Sequence, residues 1–295
     1  TGSGTIRAKY LLGFGDAIDL DCSLSIGTDV GGAGGSHTVA AGQSLDVQGS
    51  FYVGGDAVGA LTVSGGGTVV SGHGSIGRWA GSDGSSVSVS DPSSSWTCRS
   101  LYVGDISDGT LVISNGGSVV SAPGFSAWVG NVDTAAGGVT VMGADSLWYV
   151  ARDMVLASHG HGTLIVQDGG TVTVVRDGII ASEAGSVGEA SVTGADSTWT
   201  CGGSLYVGGD YPGSGGTGTL ELADGGDVRV DGTIKVWSTG TLRILGGPVG
   251  STLKCQTLDL APGATLECIS ASGITVNALA GEARSLSYAA GLSFG

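Results

Sequence analysis

Internal repetition restricts this fold more than any other feature of the chain. Phe51-Tyr52-Val53-Gly54 recurs as Leu101-Tyr102-Val103-Gly104 and Leu205-Tyr206-Val207-Gly208, with Asp153-Met154-Val155-Leu156 in the remaining place. After each comes a Gly-containing turn and an apolar triplet: Leu61-Thr62-Val63, Leu111-Val112-Ile113, Leu164-Ile165-Val166 and Leu220-Glu221-Leu222. A Gly-Gly turn and a second alternating run follow, as in Thr68-Val69-Val70 and Ser118-Val119-Val120. These blocks of roughly 52 residues divide again. Trp128-Val129-Gly130 repeats the Tyr-Val-Gly anchor, and Ser75-Ile76-Gly77 and Ile179-Ile180-Ala181 do the same elsewhere. The unit is therefore about 26 residues, with three short strands separated by Gly/Ser/Asp turns.

One such unit cannot bury its own inward side chains, whereas a stack of them, at ~4.8 Å per strand, buries a continuous column of Val, Leu and Ile. The expected fold is all-β, a parallel β-helix or β-solenoid of about eleven coils and roughly 50 Å, with right-handed winding as the prior. A seven-bladed propeller needs ~40–50 residues and four strands per blade, which the half-repeat does not supply. Residues 44–245 carry the repeats, 1–43 form an N-terminal coil and assembly or cap segment, and 246–295 form C-terminal coils ending in a strand. The 59 glycines among 295 residues belong to the corners of these coils. With only 5 prolines and no three-residue Gly period they do not indicate collagen, and a mean hydropathy of +0.30 argues against disorder.

The net charge is −15, from 11 Lys and Arg against 26 Asp and Glu, and no basic run exists. Nucleic acid and anionic membrane surfaces are therefore not expected partners. No stretch approaches the ~20 apolar residues of a membrane span. Charged residues total 13%, a sparse acidic surface suited to an extracellular or cell-surface protein. The start, Thr1-Gly2-Ser3-Gly4, reads as that of a mature or trimmed chain.

The repeat also decides how the reactive-looking residues are read. Cys98 and Cys201 fall in the slot that Val150 occupies in the aligned copy, so they are expected to be small buried apolar residues. Cys255 and Cys268 could lie on adjacent strands, which leaves a disulfide between them open. Trp96, Trp148 and Trp199 recur every second coil; a core-facing anchor is favoured over a sugar-stacking platform. Asp56, Asp105, Asp108 and Asp210 follow the Tyr anchors, with His159 and His161 in the third copy and Arg152-Asp153 at the degenerate one. Asp is common in turns for ordinary reasons. No catalytic residue, metal ligand or cofactor is therefore assigned, and polysaccharide lyase or hydrolase chemistry is kept as the alternative. A third class is glycan binding through Tyr52, Tyr102 and Tyr206, which alternate away from the inward Val53, Val103 and Val207.

The motifs Ser197-Thr198-Trp199-Thr200, Ser204-Leu205-Tyr206-Val207-Gly208-Gly209, Gly218-Thr219-Leu220 and Gly225-Gly226-Asp227-Val228 resemble the passenger-associated repeats of bacterial autotransporter-like proteins. The resemblance covers roughly residues 44–245 and implies a β-helical stalk displayed at the cell surface, with no catalytic residue attached. No C-terminal run reads as an outer-membrane barrel, so a cleaved passenger or a freestanding secreted solenoid is expected. Neither terminal segment looks like a charged cap. Tyr10, Leu11, Leu12 and Phe14 at one end, and Tyr288, Leu292 and Phe294 at the other, are candidates for head-to-tail joining of subunits into a filament. Local capping of a monomer is the competing expectation. The function expected from sequence is a non-catalytic structural solenoid, a stalk, matrix or filament subunit whose partner is itself and, secondarily, surface polysaccharide.

Overall fold

The computed structural model describes residues 34–247, 249–269 and 274–281, with further strands at Thr5–Ala8, Ala17–Leu20, Ser23–Ile26, Ser285–Tyr288 and Leu292–Phe294. These residues form an all-β, three-faced parallel solenoid with no helix among them, so none is long and apolar enough to cross a membrane. One coil shows the pattern: Ser85–Ser90, then Ser95–Cys98, then Leu101–Val103. We call these the long, Trp and Tyr faces. The long face is a sheet of 11 strands running in chain order from Gly35–Val39 to Ser285–Tyr288, and successive strands are separated by one turn of the solenoid. The other two faces merge into one sheet because Asp227–Val236 and Thr252–Leu260 run straight through their shared corner. Those coils are shorter: Ala60 pairs with Ser86, 26 positions on, whereas Thr265 pairs with Ser285, 20 positions on.

Strand alternation puts every second side chain inside, and these residues join into one apolar column from Leu24 to Val276. Register places the Trp-face residues in a file: Val69, Trp96, Val119, Trp148, Val172, Trp199, Val228. All three indoles are at most 1% exposed, which rules out the sugar platform. Their bulk is matched across the corner. Coils with Trp open the Tyr face with Leu101, Met154 or Leu205, and the coils preceding them open it with Gly74, Ala127 or Gly178. A Cβ on Gly74 would lie 2.5 Å from Trp96 Cζ2, and one on Gly178 would lie 3.3 Å from Trp199 Cζ2. Trp96 and Trp199 thus occupy the space left by the glycine of the coil before them, as close packing requires, and Ala127 holds the equivalent position before Trp148. This pairing of a large coil with a small one is the physical origin of the 52-residue period.

A polar device follows the same two-coil period. Ser94, Ser146 and Ser197, each two residues before a Trp, are fully buried. Their hydroxyls accept the backbone N–H of Gly66, Gly116 and Gly169 in the preceding coil at 2.9, 3.0 and 3.0 Å. At the corner between the Trp and Tyr faces, Asp153 and Asp177 carboxylates accept the N–H groups of Asp177 and Ser204, one coil further on. Side chains thereby continue the ladder through corners where strand pairing lapses.

Cys98, Cys201, Cys255 and Cys268 are all buried free thiols. Cys201 lies in register between Val174 and Val230, confirming the valine-slot reading. Cys255 is on the Trp face and Cys268 on the long face, so the bridge left open by the sequence is not formed.

Two stability predictions follow from this packing. Gly74→Ala should cost about 1–3 kcal/mol through overpacking against Trp96, and the added penalty should shrink by at least about 1 kcal/mol in a Trp96→Phe background. Urea-unfolding midpoints of the four-member cycle measure this, and strict additivity would contradict the shared-space account. The second concerns the indole N–H groups. Trp96 Nε1 donates to Ser71 Oγ at 3.0 Å, but Trp199 Nε1 is buried without a partner where Val174 takes the place of Ser71. Val174→Thr should therefore cost under about 0.5 kcal/mol, against about 1–3 kcal/mol for an ordinary core substitution such as Val192→Thr.

Candidate binding groove on the Tyr face

The three-residue strands of the Tyr face bury their first and third side chains and leave the second half-buried, except at Ser75 and Ile179, where the second residue is buried too. Parallel register then stacks the second residues in one outer file. It runs Tyr52, Ser75, Tyr102, Trp128, Val155, Ile179, Tyr206, Lys235. Tyr52, Tyr102 and Tyr206 share this file but are not adjacent in it, and their neighbours are not equivalent. The rings of Tyr102 and Trp128 stack at 4.7 Å between centroids and 7° between planes, one coil rise apart. On the other side of Tyr102 the rung belongs to Ser75, which is 3% exposed and places no ring between Tyr102 and Tyr52; the Arg78 guanidinium of the same coil lies over Tyr52. Tyr52 is held edge-on by Trp79 at 4.9 Å and 63°.

The residue after the corner glycine makes a second file beside the first: Arg78, Asp105, Asn131 in successive coils. Gly104 has φ +67 and a built Cβ would meet the backbone of the next coil at 2.6 Å, so glycine is what permits this tight corner. Asp105 is 2% exposed yet fully engaged. Its Oδ2 accepts Arg78 Nη1 at 2.8 Å and Ser75 Oγ at 2.9 Å, and its Oδ1 accepts Asn131 Nδ2 at 3.0 Å. A buried carboxylate is tolerable only with such partners. Arg78 lies at 6.0 and 5.9 Å from the Tyr52 and Trp79 ring centroids. The two files enclose a groove of about 360 Å³, lined by Tyr52, Ser75 and Tyr102 with Arg78, Asp105 and Asn131. Burial, and secondarily the charge of Asp105, push the Tyr102 phenol above its usual value, so it stays a neutral donor and acceptor at physiological pH.

The remaining candidate residues are dispersed. Tyr206 sits between Ile179 and Lys235, and the Lys235 ammonium is committed to Asp259 at 2.8 Å and to the Trp237 ring at 4.8 Å. The turn aspartates do not share a column. Asp108 Oδ1 accepts Ala136 N at 2.8 Å, Asp56 is exposed, and Asp210 accepts Tyr211 N at 2.6 Å in a short hairpin, its carboxyl raised by burial. His159 Nδ1 is 3.1 Å from Ser158 Oγ, and His161 begins a long-face strand. Arg152 pairs with Asp153 at 3.2 Å. Among the described residues no three His, Cys, Asp or Glu side chains converge as a metal site. Tyr10, Leu11, Leu12 and Phe14 lie outside the described residues. Tyr288 pairs with Cys268, Leu292 with Ile274 and Phe294 with Val276, on the last strands of their faces.

Sequence reasoning found the tyrosines and Asp105 but missed Arg78, Asn131 and Ser75 as one unit. The available signal was the position after the corner glycine, which reads Arg, Asp, Asn in three successive copies. Burial also settles the thiols: it pushes Cys98 up to about 12 and raises Cys201 as well. In the native protein at pH 8, peptides containing Cys98 and Cys201 should resist iodoacetamide for hours and label promptly in guanidinium. Native labelling at the rate of a free thiol would contradict their burial.

The chain matches no protein-family model and no curated protein. Among solved structures it is similar to a TibC-catalysed hyper-glycosylated TibA55-350 fragment, at 18% identity over 97% of each chain and a TM-score of 0.33.

Proposed function

We propose that this chain is a non-catalytic, extracellular structural rod, serving as a stalk, matrix element or stacking subunit. The observation that carries the reading is the unbroken apolar column from Leu24 to Val276, flanked on every face by in-register parallel ladders. Repetition of this kind fixes length and stiffness, and most of the invariant features (corner glycines, buried serines, paired Trp and Gly) serve stacking alone. The sparse acidic exterior, with 13% charged residues and a net charge of −15, favours solubility outside the cell. Among the described residues, the strands at Gly35–Val39 and Ser285–Tyr288 have a neighbour on one side only. Such an edge accepts one more coil, from a continuation of the chain or from a second copy.

Small-angle scattering and negative-stain images should show a rod of order 50 Å for the single chain, lengthening in steps of that size as concentration rises. A single species at every concentration would remove self-stacking from the reading. Chain shortening of a polysaccharide by the purified protein, abolished by Asp105→Asn, Asp108→Asn or Asp210→Asn, would overturn the non-catalytic role.

A further inference from the structure

We infer that the groove between Tyr52 and Tyr102 is a saccharide-binding slot that takes one ring of a neutral, hexose-containing oligosaccharide. The argument begins with the spacing of the outer file. Tyr102 and Trp128, on adjacent rungs, stack nearly parallel at 4.7 Å, so the coil rise itself is a stacking distance. Tyr52 and Tyr102 are two rungs apart, ~10 Å along the rod, and Ser75 on the rung between them has no ring. The file of rings is interrupted by one ringless rung, where a groove is floored by Ser75 and bordered by the Arg78 guanidinium. A pyranose, whose C–H face packs on aromatic rings, has the thickness to fill it.

The walls decide between ring chemistries. The slot is flanked by Ser75, Asn131, the Tyr102 phenol and the Arg78 guanidinium. Arg78 gives one hydrogen bond to Asp105 through Nη1; its Nε is buried, but the side chain is 38% exposed, so its remaining guanidinium N–H groups supply donor capacity. Several directional donors and acceptors around one ring match a polyhydroxylated ligand better than a plain aromatic one. Charge argues for a neutral sugar: Arg78 is neutralised by Asp105, and the groove's lining adds His73 but no second Lys or Arg to hold a uronate or sulfate. Asp105 is a positioning residue. Buried beneath the slot, it fixes Ser75 and Arg78 in the coil before its own and Asn131 in the coil after it, before any ligand arrives, so little ordering is needed on binding. Tyr52, Tyr102, Arg78 and Asn131, the accessible lining of the slot, lie outside the apolar column on which the rod depends.

The test is titration of the whole protein with neutral gluco-, manno- and galacto-oligosaccharides and, in parallel, with uronate oligosaccharides. Intrinsic fluorescence and calorimetry report binding, because Trp79 and Trp128 flank the slot. At least one neutral series should bind, and Tyr102→Ala should weaken it by at least tenfold without lowering the melting temperature. Ser75→Tyr, which fills the empty rung, should abolish binding, and Asn131→Ala provides a milder loss of about fivefold should that variant fail to fold. Tyr206→Ala, on the same file but outside the slot, should bind as wild type. No neutral sugar binding, tighter binding of uronates, or binding that survives Tyr102→Ala and Asn131→Ala would each overturn the assignment.

Discussion

Hydrogen bonding from each coil to the next is the constraint on which everything else rests. Apart from the short Gly209–Asp210 and Gly213–Ser214 hairpin, strand pairing among the described residues is parallel and joins different coils. A single coil therefore has almost no structure of its own, and stability comes from neighbour interfaces. Even the corners obey this: Gly104 N donates to Ile76 O and Gly130 N to Val103 O, each one coil back. Residues interact with their equivalents in the adjacent copies more than with their sequence neighbours. The meaning of a side chain is consequently its place in a file.

The files explain why the repeat is double. Twenty-six residues would suffice if every inward position held a residue of average volume. Trp96, Trp148 and Trp199 exceed that volume, and Gly74, Ala127 and Gly178 fall short of it. Volume is conserved over two coils instead of one, as the density of a core demands. Ser94, Ser146 and Ser197 then occur only in the Trp coils, reaching back to donors in the coils between. A register slip by one coil would set Trp against Trp and leave those donors unpaired, so the double period also specifies which coil follows which.

How much of this was legible in the sequence depended on whether a residue's partner lies in the aligned copy. The three strands per coil, the buried Trp and the valine-like Cys98 and Cys201 were readable because substitution between copies reveals environment. The shortened C-terminal coils were harder to see, since Asp227–Val236 takes its corner at Asp231-Gly232 as a register shift between Val230 and Thr233 within one strand instead of a turn between two. The groove was only half visible. Tyr52 and Tyr102 carry the repeat, but Arg78, Asp105 and Asn131 break it, and their relation exists only once three coils are stacked. The turn aspartates looked equivalent by proximity to the anchor, yet a shift of one residue puts Asp56 and Asp105 in different files.

That last point bears on where a solenoid can carry a specific site. Inward rungs must all be filled, because each vacancy is a cavity costing roughly 20–30 cal/mol per Å³. Outward rungs carry no such demand, so an empty one between two rings costs little by itself. The buried carboxylate beneath it is a different matter. Asp105 needs three polar partners to be tolerated, and it finds them in the coil before its own and the coil after. A buried carboxylate that ties three coils together directly under the one ringless rung between Tyr52 and Trp128 serves the stack and at the same time sets the polar wall of the proposed slot.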